Sequence, residues 1–473
     1  MSAALHPSPS PDVLPGVLPD VRLDIRPARL NAEQYAQHFG DAAPRLTRSQ
    51  ALVEAERCLY CYDAPCTTAC PTGIDVPSFI RRIADDNLRG AARTILDANP
   101  LGGTCARVCP TEVLCEQVCV RTTQSGKPVE IGRLQRYAVD AVMDQPLSAL
   151  FPRAAATGRT VAVVGAGPAG LACAVGLARR GHAVVLHEAQ AKGGGLNEYG
   201  LAAYKVAGDF ARRELDWLLG IGGITLTTGW KLERAAQLQT LRDRHDAVYL
   251  AVGLATTLGL GVPGDDLIGV RDAVDFIADL RQADGPAQWR QLPMGRRVVV
   301  IGGGMTAVDA AVQSRLLGAE SVHIVYRRGP ATMGASKAEQ DWALTHGVTL
   351  HHWLAPEAVL GGTGEAQGHA VGVRFLQQAM ADGRLQASGR HETLAADLVF
   401  RAIGQRLDAA QLAGCGLTLQ QGRIVADDDG RTGVAGLYAG GDCRLGGRDL
   451  TVEAVQDGKR AALAIHAELS TSA

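Results

Sequence analysis

Eight of the eleven cysteines lie between Cys58 and Cys119, in two runs. The first is Cys58-x2-Cys61-x4-Cys66-x3-Cys70-Pro71 and the second is Cys105-x3-Cys109-Pro110-x4-Cys115-x3-Cys119. Soft thiolate donors suit iron, and compact loops let several converge on one cube while the last cysteine of a run serves another. The spacing therefore points to two [4Fe-4S] clusters. Structural zinc also takes four thiolates, but usually from two separated short-spaced pairs, and is the weaker reading.

Two glycine-rich turns have the residue types that hold nucleotides. An apolar run from Val161 enters Gly165-Ala166-Gly167-Pro168-Ala169-Gly170, then the helical stretch Leu171 to Arg180, then a second strand, Ala183 to Leu186, before Glu188. In that context glycines let backbone approach a pyrophosphate at a helix start, where free N–H groups and the dipole favour anions, and the acid takes a ribose hydroxyl. Gly193-Gly194-Gly195-Leu196 adds another close backbone approach. The second turn, Gly302-Gly303-Gly304-Met305-Thr306, follows the apolar run Arg297 to Ile301 and precedes a helix to Leu317 and a strand from Ser321 to Tyr326. Arg327 and Arg328 stand where an acid would be, which suits a ribose or its 2′-phosphate and equally a solvated pair.

What is missing narrows the chemistry. The nucleotide segments contain no Cys-x-x-Cys, which disfavours a dithiol relay, and Cys173 and Cys443 read as small core residues. The twelve histidines show no ligand or triad spacing, and His351-His352 reads as a strand or surface pair.

These groups need elements to position them. Between the cysteine runs, Phe79, Ile80, Ile83, Leu88, Ala92, Ile95 and Leu96 recur at helical spacing, so the region is expected to be helical with cluster-bearing loops. The two glycine turns each imply strand–helix–strand units. Tyr249 to Gly253 and Val399 to Gly404 look like the strands where the chain crosses between them, and a last apolar strand ends at Gly441-Asp442 before Leu450-Thr451 opens a long helix through Ile465. The expected fold class is α/β, with a helical N-terminal iron–sulfur domain followed by two nested Rossmann-like domains. The expected boundaries are a loose leader at 1–30, the cluster domain at 31–156, an FAD domain at 157–254 and 405–473, and a nicotinamide domain at 255–404.

A net charge of -2 and a pI near 6.6 give no basic field for nucleic acid or polybasic membrane attachment. The proline-punctuated start lacks the form of a secretory signal, and no apolar run is long enough to span a bilayer. A soluble, cytoplasmic protein is expected.

Taken together, the cysteine region, the two nested folds and the closing Gly-Asp helix resemble one lineage over nearly the whole chain beyond about residue 30. It contains the glutamate synthase small subunits and the N-terminal half of dihydropyrimidine dehydrogenase. Val325-Tyr-Arg-Arg-Gly-Pro-Ala-Thr-Met-Gly-Ala-Ser336, Glu339-Gln340 and Thr451-Val-Glu-Ala-Val-Gln-Asp-Gly-Lys459 are most similar to the bacterial NAD-dependent dihydropyrimidine dehydrogenase electron-input branch. The resemblance implies one cluster on Cys58, Cys61, Cys66 and Cys119, and another on Cys70, Cys109 and Cys115 with Gln135 as fourth ligand. Composition alone would choose Cys105 for that last place.

For FAD the same resemblance implies Val108, Gly165 to Ala169, Glu188, Gly195, Leu196, Lys205 where relatives often carry Arg, and Gly441, Asp442, Leu450 and Thr451. Asp442 would hold the ribityl chain, and the helix start near Thr451 would face the flavin pyrimidine ring. For the nicotinamide it implies Gly302 to Thr306, Arg327, Arg328, Ala402, Ile403 and Gly404, with Gly334 in place of a basic residue of NADP users, which tilts the choice toward NADH.

The implied activity is hydride transfer from NADH to FAD and single-electron delivery through the clusters to a partner. No FMN barrel fits after the C-terminal helix, so uracil or thymine is expected to bind a separate large subunit in a hetero-oligomer. The alternatives are the small subunit of an NADPH-dependent glutamate synthase and a cluster-and-flavin carrier without nicotinamide activity.

Overall fold

A computed structural model describes residues 30–381 and 383–471. The expected leader therefore lies outside the described residues but for Leu30. The described chain groups into two compact units, one of 41–256 with 405–471 and one of 30–40 with 257–404.

In the first unit the cysteine-bearing region is helical. The apolar spacing between the cysteine runs resolves into two helices, Val76–Ala84 and Leu88–Ala98. The break is local: Asp86 takes φ +59°, and Asn87 caps the second helix by accepting from Gly90 N–H at 2.9 Å. Phe79, Ile80, Ile83, Ile95 and Leu96 from these helices join Leu134 and Val139 of the helix Ile131–Asp140 in one buried core. Burial of that apolar stripe is what holds such short helices, which would be marginal alone.

The same unit carries a five-stranded parallel sheet in the order Leu437–Ala439, Ala247–Leu250, Thr160–Val164, Ala183–His187, Ile224–Thr227. The strand from the end of the chain thus pairs beside one laid down before the second unit. The helix Thr451–Thr471 lies along the helix Pro168–Arg179, and glycines permit the close contact. A Cβ on Gly458 would sit 2.0 Å from Ala169 O, and one on Gly176 would sit 2.8 Å from Ala462 Cβ. Cys173 and Cys443 are buried in the cores of this unit, as expected of small core residues.

The second unit has a parallel sheet in the order Val270–Asp272, Leu398–Arg401, Arg297–Ile301, Ser321–Tyr326, Thr349–His352. His351 and His352 lie on its edge strand. A three-stranded antiparallel sheet, Leu354–Gly361, Ala370–Ala381 and Arg384–Ala395, adds Val359, Val373 and Phe375 to the core formed with Val299, Ile301 and Val399. The helix Ala32–His38 also groups with this unit. Tyr35 Oη donates to Leu317 O at 3.2 Å, and the Phe39 ring meets Trp289 at 4.7 Å. Among the described residues no helix is long and apolar enough to cross a membrane.

Candidate cofactor sites

The first glycine turn divides its work among three residues. Gly165 has φ +105°, and a Cβ there would lie 2.1 Å from Ala251 O. Gly170 cannot carry a side chain either, because its Cβ would come within 1.8 Å of Gly165 O, where helix meets strand. Gly167, the N-cap of the helix Pro168–Arg179, has only Gly195 Cα near its Cβ position, at 3.7 Å. The turn is thus tight on its protein side and bare at the helix start, the arrangement a pyrophosphate needs. Glu188 is buried at the end of the second strand, and its carboxylate accepts from Ala166 N–H at 2.9 Å and Gln190 N–H at 2.8 Å. Ala166 O in turn accepts from Gly194 N–H at 2.8 Å, which brings the Gly193-Gly194-Gly195 loop onto the turn.

The closing segment converges on the same loop. Thr451, at the start of the long helix, donates through its hydroxyl to Asn197 Oδ1 at 3.0 Å, just beyond Gly195 and Leu196. Gly441 has φ +79°, and its N–H donates to Asp457 at 3.0 Å. Burial, reinforced by the charge of Asp449, pushes the Asp442 carboxyl up to about 6. A carboxylate in that state gains from hydroxyl donors, which is what a ribityl chain offers. Leu450 anchors the helix by accepting from Glu453 N–H at 3.1 Å and Ala454 N–H at 3.0 Å. Lys205 stands half-buried in the turn after Ala202, and Val108 packs with Val206 and Phe210.

The second turn repeats this logic in its own unit. Gly302, with φ +150°, would place a Cβ 2.1 Å from Ala402 O, and Ala402 N–H donates to Ile301 O at 2.8 Å. The Tyr326 ring would lie 2.5 Å from a Cβ on Gly303. Gly304 caps the helix Met305–Leu316 with nothing within 4 Å of its Cβ position, so the helix start, with Met305 and Thr306, is open to a ligand. Arg327 and Arg328 are exposed just past the strand, with no side-chain hydrogen bond or ion pair among the described residues. The following segment folds back over the turn: Ala335 N–H donates to Gly303 O at 2.9 Å, and the Cβ position of Gly334 is 3.7 Å from Gly304 Cα. Ile403 and Gly404, the latter at φ +110°, are exposed at the end of the neighbouring strand.

The thiols crowd one another, Cys66 as well as Cys70 bearing on Cys115. Burial first, and then the charges of Cys61 and Cys119, raise Cys58, and burial with Cys58 and Cys119 as neighbours pushes Cys66 up to about 11. The Cys109 thiol is raised by its hydrogen bond to Cys105, by burial, and by Cys115 and Cys70. Such crowded thiols stay protonated until a cationic centre replaces the protons, which fits iron–sulfur ligation. Among the described residues no three His, Cys, Asp or Glu side chains close on a single-ion site. Gln135 is buried, and its Nε2 donates to Gly102 O at 2.7 Å. That bond holds the amide beside the helix Gly102–Val108, which carries Cys105, and among the described residues its oxygen has no donor.

One residue that the sequence reading passed over is central here. Glu214 is fully enclosed on the helix Phe210–Leu219, and its carboxylate accepts from Gly103 N–H at 2.8 Å, Thr104 N–H at 3.0 Å and the Thr104 hydroxyl. Burial pushes it up to about 7, while these donors and Arg107 pull the other way. It caps the helix that ends at Cys109. Arg107 of that helix lies 3.3 Å over the Phe210 ring and pairs with Asp140 at 2.9 Å. In sequence Glu214 reads as one more acid on an amphipathic helix, and nothing local marks its partner.

Comparison with known proteins gives concordant matches. Residues 35–147 match the family described as dihydropyrimidine dehydrogenase domain II, 4Fe-4S cluster, and residues 159–458 match the pyridine nucleotide-disulphide oxidoreductases. The NAD-dependent dihydropyrimidine dehydrogenase subunit PreT of Escherichia coli K12 is 34% identical over 91% of this chain and 97% of its own length. The small chain of the NADPH glutamate synthase of the same organism is 33% identical over 88% of this chain and 91% of its own. Among solved structures, Mycobacterium tuberculosis FprA in complex with NADPH shares the fold at 20% identity, with a TM-score of 0.54 over 66% of this chain and 85% of that one.

Proposed function

The chain belongs to the pyridine nucleotide-disulphide oxidoreductase family, in the branch that adds a 4Fe-4S domain and includes the PreT subunits, and from that premise we propose that it is the electron-input subunit of a two-component dihydropyrimidine dehydrogenase. It is an FAD- and NAD(P)-dependent iron–sulfur oxidoreductase. The observation that carries the finer reading is within one compact unit. The thiol-bearing helix Gly102–Val108 packs against the FAD-type fold through Val108, Val206 and Phe210, with Glu214 capping its start.

When bound, FAD accepts a hydride and releases electrons one at a time, and iron–sulfur clusters carry electrons only singly. The bare start of the helix at Gly167 receives the FAD pyrophosphate, and Glu188 receives a ribose hydroxyl. Asp442 accepts from the ribityl chain, and the start of the helix at Thr451 offers a positive dipole end where reduction builds negative charge. Cys58, Cys61, Cys66 and Cys119 hold one cluster, and Cys70, Cys109, Cys115 and Gln135 hold the other. Gly302 to Thr306, Arg327, Arg328 and the strand end at Ala402 to Gly404 hold the nicotinamide nucleotide. Gly334 faces the turn without a side chain, which favours NADH.

The uracil or thymine site, with its FMN, then belongs to a large partner subunit, and the pair acts in the cytoplasm, where thiols stay reduced. The similarity to the glutamate synthase small chain supports a second reading, with a glutamine-dependent partner. Anaerobic purification with iron, sulfide and flavin analysis, NADH- and NADPH-driven dye reduction, and coexpression with each kind of large subunit test both. The proposal expects about eight irons, faster turnover with NADH and pyrimidine reduction with the first partner. Zinc without sulfide, or coupling to glutamate formation alone, would overturn it.

A further inference from the structure

The C-terminal helix Thr451–Thr471 does more than close the nucleotide fold. Lys459 leaves it and reaches between two parts of the cysteine-bearing region, where Nζ donates to Thr72 O at 2.9 Å and Ala98 O at 2.8 Å. Thr72 is buried directly after Cys70-Pro71, and its hydroxyl lies 3.3 Å from Cys70 Sγ. Two short links therefore join the ammonium to that thiol. Next to Lys459, Gly458 packs so closely on the nucleotide turn that a Cβ there would fall 2.0 Å from Ala169 O.

The charge of Lys459 is not balanced by a carboxylate at contact distance. Among the described residues it makes no ion pair, and Asp97, the acid that bears on it, is paired with Arg179 at 2.8 Å. Burial opposes its ionisation, as does Arg460, while Cys70 and Asp97 favour it. A partly buried ammonium satisfied only by neutral carbonyls is costly, and an anionic centre beside it removes that cost. An iron–sulfur centre ligated by thiolates is such an anion, and its reduced form carries one more negative charge.

We propose that Lys459 is a positioning residue for the centre held by Cys70, fixing the Cys70–Thr72 loop and raising the reduction potential of that centre through its charge. The inference rests on the reading that Cys70 is an iron ligand. Its consequence is that the same helix that faces the flavin site also sets how readily the neighbouring centre accepts an electron.

The test is an EPR-monitored redox titration of the full chain, purified anaerobically, with iron and sulfide measured on each sample. Lys459→Gln keeps a donor for the two carbonyls and removes the charge, and Lys459→Arg keeps the charge. The expected result is one of two cluster signals moving to more negative potential in Lys459→Gln, the other staying in place, and Lys459→Arg remaining near the parent. Both signals at parental potential in Lys459→Gln, or an equal shift in Lys459→Arg, overturns the role of Lys459. Cys70→Ser distinguishes the premise: full iron and both signals unchanged there would remove Cys70 as a ligand and the inference with it.

Discussion

Gln135 and Cys105 compete for one place, and their surroundings separate them. The Cys105 thiol is buried and hydrogen-bonded to Cys109, whereas the Gln135 amide is held by Gly102 O with no donor to its oxygen among the described residues. Cys105→Ser is therefore expected to keep its iron and both cluster signals, while Gln135→Leu loses about half the iron; the reverse outcome in an iron assay would name Cys105 as the ligand. Asp442 gives a second prediction, in pH. Its carboxyl is raised by burial and by Asp449 to about 6, so flavin-free protein gains stability from the neutral form below about pH 4 and loses it as pH rises through about 6. Melting curves of the flavin-free chain should fall across that window, and Asp442→Asn should flatten the fall. Flavin hydroxyls favour the ionised form, so FAD affinity should rise across the same window. At neutral pH Asp442→Asn should weaken FAD binding by roughly ten- to a hundredfold, about 1.5–3 kcal/mol, read from flavin fluorescence.

At the scale of elements, each glycine turn separates residues that build it from one that serves a ligand. Gly302→Ala meets Ala402 O and a positive φ, so it should cost about 2 kcal/mol or more and lower the melting temperature by several degrees. Gly304→Ala has space around its Cβ and an ordinary φ of -95°, so the fold should stand while the added methyl blocks the close approach of a pyrophosphate. The expected signature is a KM for NADH raised about tenfold or more with an unchanged melt; equal effects of the two substitutions would count against a nucleotide at this helix start. These turns were legible because their constraint is local: a glycine spacing, an apolar strand before it and an acid or basic pair after it. The same holds for the two cysteine runs. Elements held by distant partners left no such mark. The helix Ala32–His38 bears no local sign that it packs with Leu317, or that Phe39 at its end meets Trp289. The antiparallel strands 370–381 and 384–395 lack clear alternation because the outer strand is exposed along most of its length, and in the inner strand burial is a continuous run at Ala370 to Val373 with Phe375. Glu214 is buried and Lys459 partly buried, and their partners lie 110 and 361 or more residues away, beyond any local pattern.

The order of the chain has a consequence for the molecule as a whole. The strand Leu437–Ala439 completes a sheet begun at Thr160–Val164, so the unit of 41–256 and 405–471 owns all five of its strands without help from 257–404. The ends of the intervening segment lie side by side, since Leu258 N–H donates to Gly404 O at 3.1 Å. A short flexible linker can therefore replace 257–404 with a small loop-closure cost. A chain beginning at Asp41 with that replacement is expected to fold, to retain FAD and iron, and to be reduced by dithionite while remaining inert to NADH. Its absorption spectrum under each reductant is the measurement. If NADH still bleached the flavin, the nicotinamide site would have to lie within the retained unit; if the chain lost both flavin and iron, the completed sheet would not be enough to sustain the sites built on it. Retention of both with loss of NADH response would place hydride entry in the inserted unit and leave electron exit to the cysteine-bearing helices.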